Sequence, residues 1–470
     1  MSDLHELSAV EALARMRAKE ISPVELLDAV LARASTVEGT VNAFTETREE
    51  EAAAAARASA DRYTNGEDIR PLEGLPVALK EELEVEGWRM RFGSLAIDEI
   101  APRTAPVAER ILGAGAVIHA RTTTPEFSCT GYTHSKLWGV TCNPWNPAFA
   151  VGGSSGGSGA SLASGTSFLA SGSDIGGSIR LPASANGVVG FKPPHGRVPV
   201  EAPYNLDRYC HDGPLARTVA DCALFENVLA GPHPMDVTSL RPRLEIPREL
   251  GGVAGMRVAV SADLGAWDVD QEIRTNTTLV GAALQEAGAI VEEVELPWTL
   301  VEVAGVARAH FGAIFGAQIG EAAATFGDLL CDYTLAWAEE AAASAAVPGG
   351  YLHGLEGEQR IWEPLGRLFD TFDALIGPTW AVPGIPAGDS YLGTLWEGGG
   401  PNDRQYAAMM TTPFNVLSPC PVLAVPSGFT SNGVPSGVQI VGRTYDDVGV
   451  FRVGAAIERV RPWPTVAPSE

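Results

Sequence analysis

Hydrophobic and polar positions along the chain fall into two alternating rhythms. The clearest helix opens at Ser22, Pro23 and Glu25: a hydroxyl N-cap, a ring with preset φ at the first helical position, and an acid able to bond back to the cap, ahead of "VELLDAVLARA". An alanine-rich helix is expected from about Thr47 to Arg62, so residues 1–63 read as a helical N-terminal region. Then short apolar runs take over. "LPVALK" (75–80) is strand-like, and "TAPVAERILGAGAVIHART" reads as helix, glycine stop and a strand at Ala116–Ala120. Further strands are predicted at "SFLASG", "VVGF", "MRVAVS", "AIVEEVEL", "DALIGPT", "PVLAVPS" and "GVQIVG", with helices such as Asp270–Ala287 and Asp446–Val460 between them. Short buried strands separated by helices predict an α/β protein built on a central sheet. No internal repeat is visible. Residues 230–250 and 380–405 are rich in Pro, Gly and acids and read as surface excursions, so the whole chain, 1–470, is expected to form one domain.

One region interrupts the rhythm. Residues 122–160 are rich in Gly, Pro, Ser, Thr and Asn, and a long stretch of this kind inside a compact protein points to function. It ends in "AVGGSSGGSGAS", residues 150–161. A flexible linker is a poor reading, because sequence on both sides belongs to the same alternation. A phosphate cradle needs a preceding strand and a lysine or helix-opening glycine pattern, and "NPWNPAFAV" is a poor strand. The pattern G-x-S-x-G occurs twice, at Gly152–Ser154–Gly156 and Gly153–Ser155–Gly157, but the strand of a nucleophile elbow is missing. His195, His211, His233, His310 and His353 lie in no motif that suggests a serine–histidine pair.

A second glycine-flanked serine stands 24 residues beyond Ser154. In "GSDIGGSIRLPASANGVVGFKP", Ser178 precedes an apparent helix start, and Asp174 to Ser178 offer successive small backbone units whose N–H groups can converge on one point. A serine nucleophile needs a base. Lys80 closes the apolar run "GLPVAL", where poor hydration favours the neutral amine; the competing reading is a strand-end lysine paired with Glu81 or Glu82.

Bulk properties narrow the chemistry further. The net charge of −25 repels phosphate backbones and anionic lipid, so neither nucleic acid nor membrane is an expected partner. Six scattered cysteines and eight histidines suggest neither a disulfide framework nor a zinc site, and no metal or cofactor is expected. The N-terminus has no apolar core of a signal peptide, and no run of about 18 apolar residues stands out. A cytoplasmic location is expected.

Taken together, Gly74–Lys80, Thr122–Phe127, Asn143–Pro147, Gly152–Ser158 and Ser173–Pro182 resemble, in order and spacing, the amidase signature family. "GGSSGGS" and "DIGGSIR" are its hallmark, and "GVVGFKP", "GPLARTVAD" and "PVLAVPSGF" are similar to further family stretches. The likeness is dense over residues 70–225, the expected catalytic core, and thinner over 226–470. It implies a mixed central sheet covered by helices on both faces. It implies a Ser–cisSer–Lys triad, with Ser178 as nucleophile, Ser154 as the bridging serine in a cis peptide and Lys80 as base. The N–H groups of Ile175, Gly176, Gly177 and Ser178 would form the oxyanion hole, with Asp174, Arg180 and Ser155 in support. Where many relatives carry Asp after the lysine, this chain has Glu81-Glu82.

The family contains several branches. The segment "FGAIFGAQIGEAAATFGDLLCDYTLAWAEE" does not resemble the A-type chains of glutamyl-tRNA amidotransferases, which remain the alternative, together with a degenerate amidase kept for binding. The resemblance therefore implies a stand-alone amidase, a homodimer by family habit, acting on small amides, anilides, hydrazides or esters. Its acyl pocket is expected from Ser128, Cys129, Tyr132 and Trp138, with Tyr204 or Leu417 as further candidates.

Overall fold

The apolar runs pair into one sheet. In the computed structural model, which describes residues 4–468, its strands are Phe44–Thr47 (β1), Pro76–Lys80 (β2), Val117–Thr122 (β3), Leu169–Asp174 (β4), Val189–Lys192 (β5), His211–Ala216 (β6), Arg257–Val260 (β7), Ile290–Glu293 (β8), Ala374–Pro378 (β9), Val422–Phe429 (β10) and Pro435–Gly442 (β11). They lie in the order β1-β3-β2-β4-β6-β5-β10-β11-β9-β7-β8. The triplet β3-β2-β4 is parallel, and so is β9-β7-β8; the pairs between them are antiparallel. The sheet is thus mixed, in a single α/β domain.

Alternation along the strands sorts the two faces. Val77, Leu79, Val258, Val260, Leu423, Val425 and Ile440 join one core with side chains from helices Ala9–Arg17, Val219–Leu229, Gln271–Glu286 and Asp447–Val460. Such large apolar side chains contribute about 1.5–3 kcal/mol each on full burial. The opposite face at the site carries small residues, Ala78, Ala170 and Ala424, packed against Leu162, Ile179 and Ala183 of helices Gly156–Ala163 and Arg180–Asn186 and the turn before the second. Small strand residues let these two helices approach closely. At Gly157 a Cβ would stand 2.4 Å from the Thr123 nitrogen, so the backbone contact there requires glycine.

Several expectations are corrected. Strands β1 and β6 carry no clear sequence signal. "HDGPLA" has no period-2 pattern and holds a proline, but both of its neighbours offer pairing partners and the tertiary context overrides propensity. Residues 122–160, which interrupt the rhythm in the sequence, contain a short hairpin, His134–Ser135 with Gly139–Val140, and the helix Gly156–Ala163, which the sequence pattern did not show. Residues 380–405 are not wholly a surface excursion. Trp380, Ala381, Ile385, Asn402 and Asp403 are buried, and Asp403 pairs with Arg308. The helix Leu300–Phe326 escapes the sequence pattern, because small and apolar residues surround it and leave no stripe. With its short extension it forms, among the described residues, one helix long and apolar enough to cross a membrane, Leu300–Leu329. It packs on helices Asp332–Ala345 and Gly350–Phe369 and contributes Ala304, Ala307 and Phe311 to the core.

Candidate active site

Three adjacent elements converge at the end of the parallel triplet. Lys80 is the last residue of β2 and is 1% exposed. Its backbone N–H donates to Ser171 Oγ on β4, at 2.9 Å. Its Nζ donates to Ser154 Oγ at 2.7 Å and to Ser173 Oγ at 2.8 Å, and stands 2.9 Å from Glu82 Oε1. Lys80 is therefore buried and within ion-pair distance of Glu82, so each sequence reading of this residue holds in part. Ser128 Oγ donates to Glu82 Oε2. Burial would raise the Glu82 carboxyl, but Lys80 and the hydrogen bonds from Ser128, Ser173 and Lys80 outweigh it and hold the group below its ordinary value. Glu81 points elsewhere. Its carboxylate accepts from Gly93 N–H at 3.0 Å and Trp138 Nε1 at 2.9 Å, a structural role.

The peptide before Ser154 is cis. The next residue ties two turns together: Ser155 N–H donates to the Ser178 carbonyl at 3.2 Å, and Ser155 Oγ lies 3.3 Å from both the carbonyl and the nitrogen of Ser173. Ser178 precedes helix Arg180–Asn186 and is 7% exposed. Its turn is pinned by Asp174, which accepts from Gly177 N–H at 2.8 Å, from Ile179 N–H at 3.2 Å, and from both Nε and Nη2 of Arg180 at 3.0 and 2.9 Å. The ion pair is fully buried, not a surface pair. Burial alone would push the Asp174 carboxyl up, but the Arg180 charge and the bonds from Arg180 and Asn415 reverse this and hold it far below its ordinary value. Arg180 is satisfied in turn by Thr411 O, Gln439 Oε1 and Asn415 Oδ1. Gly177 has φ +134°, and a Cβ there would stand 2.1 Å from Thr411 Oγ1, so no side chain fits.

The expected four-donor oxyanion hole needs correction. The Gly177 N–H is committed to Asp174. The N–H groups of Ile175, Gly176 and Ser178 meet no acceptor among the described residues. His211 lies behind the turn, buried, with Nδ1 3.1 Å from the Asp174 carbonyl and Nε2 3.2 Å from Ser418 Oγ.

Beside Ser178 opens a narrow pocket, walled on one side by Ser128, Cys129, Thr130 and Gly131 and on the other by Phe311, Phe315, Trp337, Tyr406 and Met409. Ser128 and Cys129 line it, as expected. Tyr132 and Trp138 do not, and this corrects the sequence reading. After Gly131 the chain dives into the core, where the Tyr132 ring stacks on His134 at 5.1 Å and its hydroxyl donates to the Ser390 carbonyl. Trp138 sits on the hairpin and is held by Glu81. Tyr204 donates to Gln318 Oε1, and Leu417 lines a different cavity, with Glu358 and Trp362. Sequence reasoning missed Ser173, whose only signal was its place beside Asp174. It also missed the far wall of the pocket, which comes from the stripe-less helix and from residues distant in sequence. No group of three or more His, Cys, Asp or Glu among the described residues is arranged to hold a metal ion.

The serine–lysine cluster, the pinned glycine turn and the mixed sheet define a class, and comparison with known proteins agrees with it. The amidase family pattern matches residues 25–451, so the chain belongs to the amidase family, the amidase signature enzymes, and is an amide C–N hydrolase. It is 33% identical to an acylamidase of Rhodococcus erythropolis over 100% of this chain and 98% of that one. It is also 31% identical to the A-type chain of a glutamyl-tRNA(Gln) amidotransferase of Chloroflexus aurantiacus, covering 100% and 99%. Among solved structures, a bacterial aryl acylamidase of the amidase signature family superposes with a TM-score of 0.90 at 28% identity, covering 98% of each chain. A 6-aminohexanoate cyclic dimer hydrolase gives 0.83 at 26% identity, with 98% of each chain covered.

Proposed function

We propose that this amidase cleaves small aryl or alkyl acyl amides, anilides or hydrazides through an acyl-enzyme on Ser178. The observation that carries the reading is the 2.7 Å bond from Lys80 Nζ to Ser154 Oγ, with the Ser178 turn tied to the same loop through Ser155. Neutral Lys80 accepts the Ser154 proton while Ser154 accepts the proton of Ser178. Ser178 Oγ attacks the amide carbonyl carbon, and the negative oxygen is met by the open N–H groups of the 175–178 turn. Glu82, 2.9 Å from Nζ, stabilises the ammonium that Lys80 has become. The proton then returns through Ser154 to the leaving nitrogen, the C–N bond breaks, and the amine, ammonia or hydrazine departs. Water, deprotonated by the same relay, attacks the ester and frees the carboxylic acid. The aromatic pocket beside Ser178 supports an apolar acyl group. Six unpaired cysteines support a cytoplasmic setting.

A fluorophosphonate probe should label the wild type and not Ser178→Ala. A panel of amides, anilides, hydrazides and esters should show acid release that collapses in both Ser178→Ala and Lys80→Ala with the fold intact. Full activity in Lys80→Ala would overturn the relay. The likeness to the amidotransferase chains makes glutamine the control: ammonia release from it that depends on a second protein would replace the stand-alone reading.

A further inference from the structure

The pocket beside Ser178 is aromatic, yet its wall holds two buried polar atoms with nothing to bond. Trp337 Nε1 is a donor and Gln405 Oε1 an acceptor; neither has a hydrogen-bond partner among the described residues, and the two residues are 7% and 2% exposed. Other polar groups around the pocket are spent. Ser128 bonds Glu82 and Thr124, Thr130 Oγ1 donates to the Tyr132 carbonyl, and the Tyr406 hydroxyl donates to Glu340. Gln405 itself uses Nε2 on Asn402 Oδ1 at 2.9 Å, which fixes the amide and leaves Oε1 over. Trp337 is equally fixed: its ring packs edge-on against Phe311 at 5.7 Å and against Tyr406, the neighbour of Gln405, at 6.3 Å. Buried polar atoms are almost always bonded, so an orphaned donor and acceptor in one binding wall call for a ligand that supplies both partners.

We infer that the acyl pocket selects acyl groups carrying a hydroxyl or a primary carboxamide, which accepts from Trp337 Nε1 and donates to Gln405 Oε1. This rests on the acyl-enzyme reading above and adds the substrate class. A site with a polar group waiting for a substrate hydroxyl discriminates strongly against the analogue that lacks it, because that analogue leaves the group unpaired.

The test uses benzoyl anilide and its ring-hydroxylated isomers, one per position of the benzoyl ring. In wild type at least one hydroxy isomer should exceed the parent in kcat/KM by about ten- to a hundred-fold. In Trp337→Phe and Gln405→Leu that ratio should fall toward one. Calorimetric binding of the same compounds to Ser178→Ala, which needs no turnover, should show the same order in Kd. Equal binding of all isomers and parent by Ser178→Ala, or a ratio unchanged in both wall variants, would overturn the inference. Preferential binding of a hydroxy isomer with no hydrolysis by wild type would instead overturn the proposed reaction and leave the pocket assignment standing.

Discussion

Glu82→Gln removes a unit negative charge 2.9 Å from Lys80 Nζ and keeps the side-chain shape. At that distance two unit charges interact by about 1.4 kcal/mol under water-like screening and by about 5.7 kcal/mol at an effective dielectric near 20. Glu82 supports the ammonium formed during turnover, so kcat/KM should fall by about tenfold at the water-like limit and further where screening is weaker. The Glu82 side chain is 20% exposed, and the solvent screening this admits places the expectation at the low end, about ten- to a hundredfold. Asp212, Glu201, Tyr204 and Cys210 also feel Glu82. Asp212 matters most: burial, then Glu82, raise its carboxyl to about 7, so removing Glu82 should let it ionise at lower pH. The assay is therefore a pH series of kcat/KM in Glu82→Gln and again in an Asp212→Asn background. Ser128→Ala, which loses a bond to Glu82 but no charge, serves as control and should keep most of the activity. A kcat/KM unchanged in Glu82→Gln refutes the reasoning; a loss that vanishes in the Asp212→Asn background assigns it to Asp212.

Asp174→Asn leaves Arg180 with its charge uncompensated in a fully buried position. Losing one partner of a buried pair costs about 3–5 kcal/mol, and denaturant unfolding should show a loss of that order with hydrolysis impaired, since the 175–178 turn is pinned by the same carboxylate. A stability change below about 1 kcal/mol would contradict the account. His119 is fully buried, with Nε2 2.8 Å from the Thr166 carbonyl, and burial lowers it to about 4. Its unfolded value near 6.5 lies higher, so the unfolded chain binds the proton first, and stability should be lost as pH falls from about 6.5 to 4. That window amounts to about 3 kcal/mol, and His119→Gln should show that much less acid destabilisation; identical curves would remove His119 from the effect.

The serine–lysine cluster was legible to different degrees. Lys80, Ser154 and Ser178 lie in short motifs whose spacing limits the alternatives, and the fold brings Lys80 and Ser154 into direct contact. Glu82 was visible as a departure from the family pattern, but its pairing with Lys80 depends on the strand end turning back on itself. Tyr132 was misread because adjacency in sequence to Ser128 and Cys129 says nothing about which way the chain turns after Gly131. Phe311, Trp337 and Gln405 carried no signal at all. They come from helices with no stripe and from a segment that looked like surface, and only packing makes them neighbours of Ser178.

What the sequence determined by itself is local: capped helices, short apolar strands, glycines where backbone must touch backbone, and serine–glycine turns with a lysine upstream. These follow from propensity, period and steric limits that act within a few residues. Tertiary structure decided the rest. It inserted a proline-bearing strand between β4 and β5, buried the Asp174–Arg180 pair, tied the Gly177 N–H to Asp174, and lined the pocket beside Ser178 with aromatic residues far along the chain from it. Each of those outcomes depends on desolvation and on contacts between distant segments, energies that exist only once the chain has closed on itself.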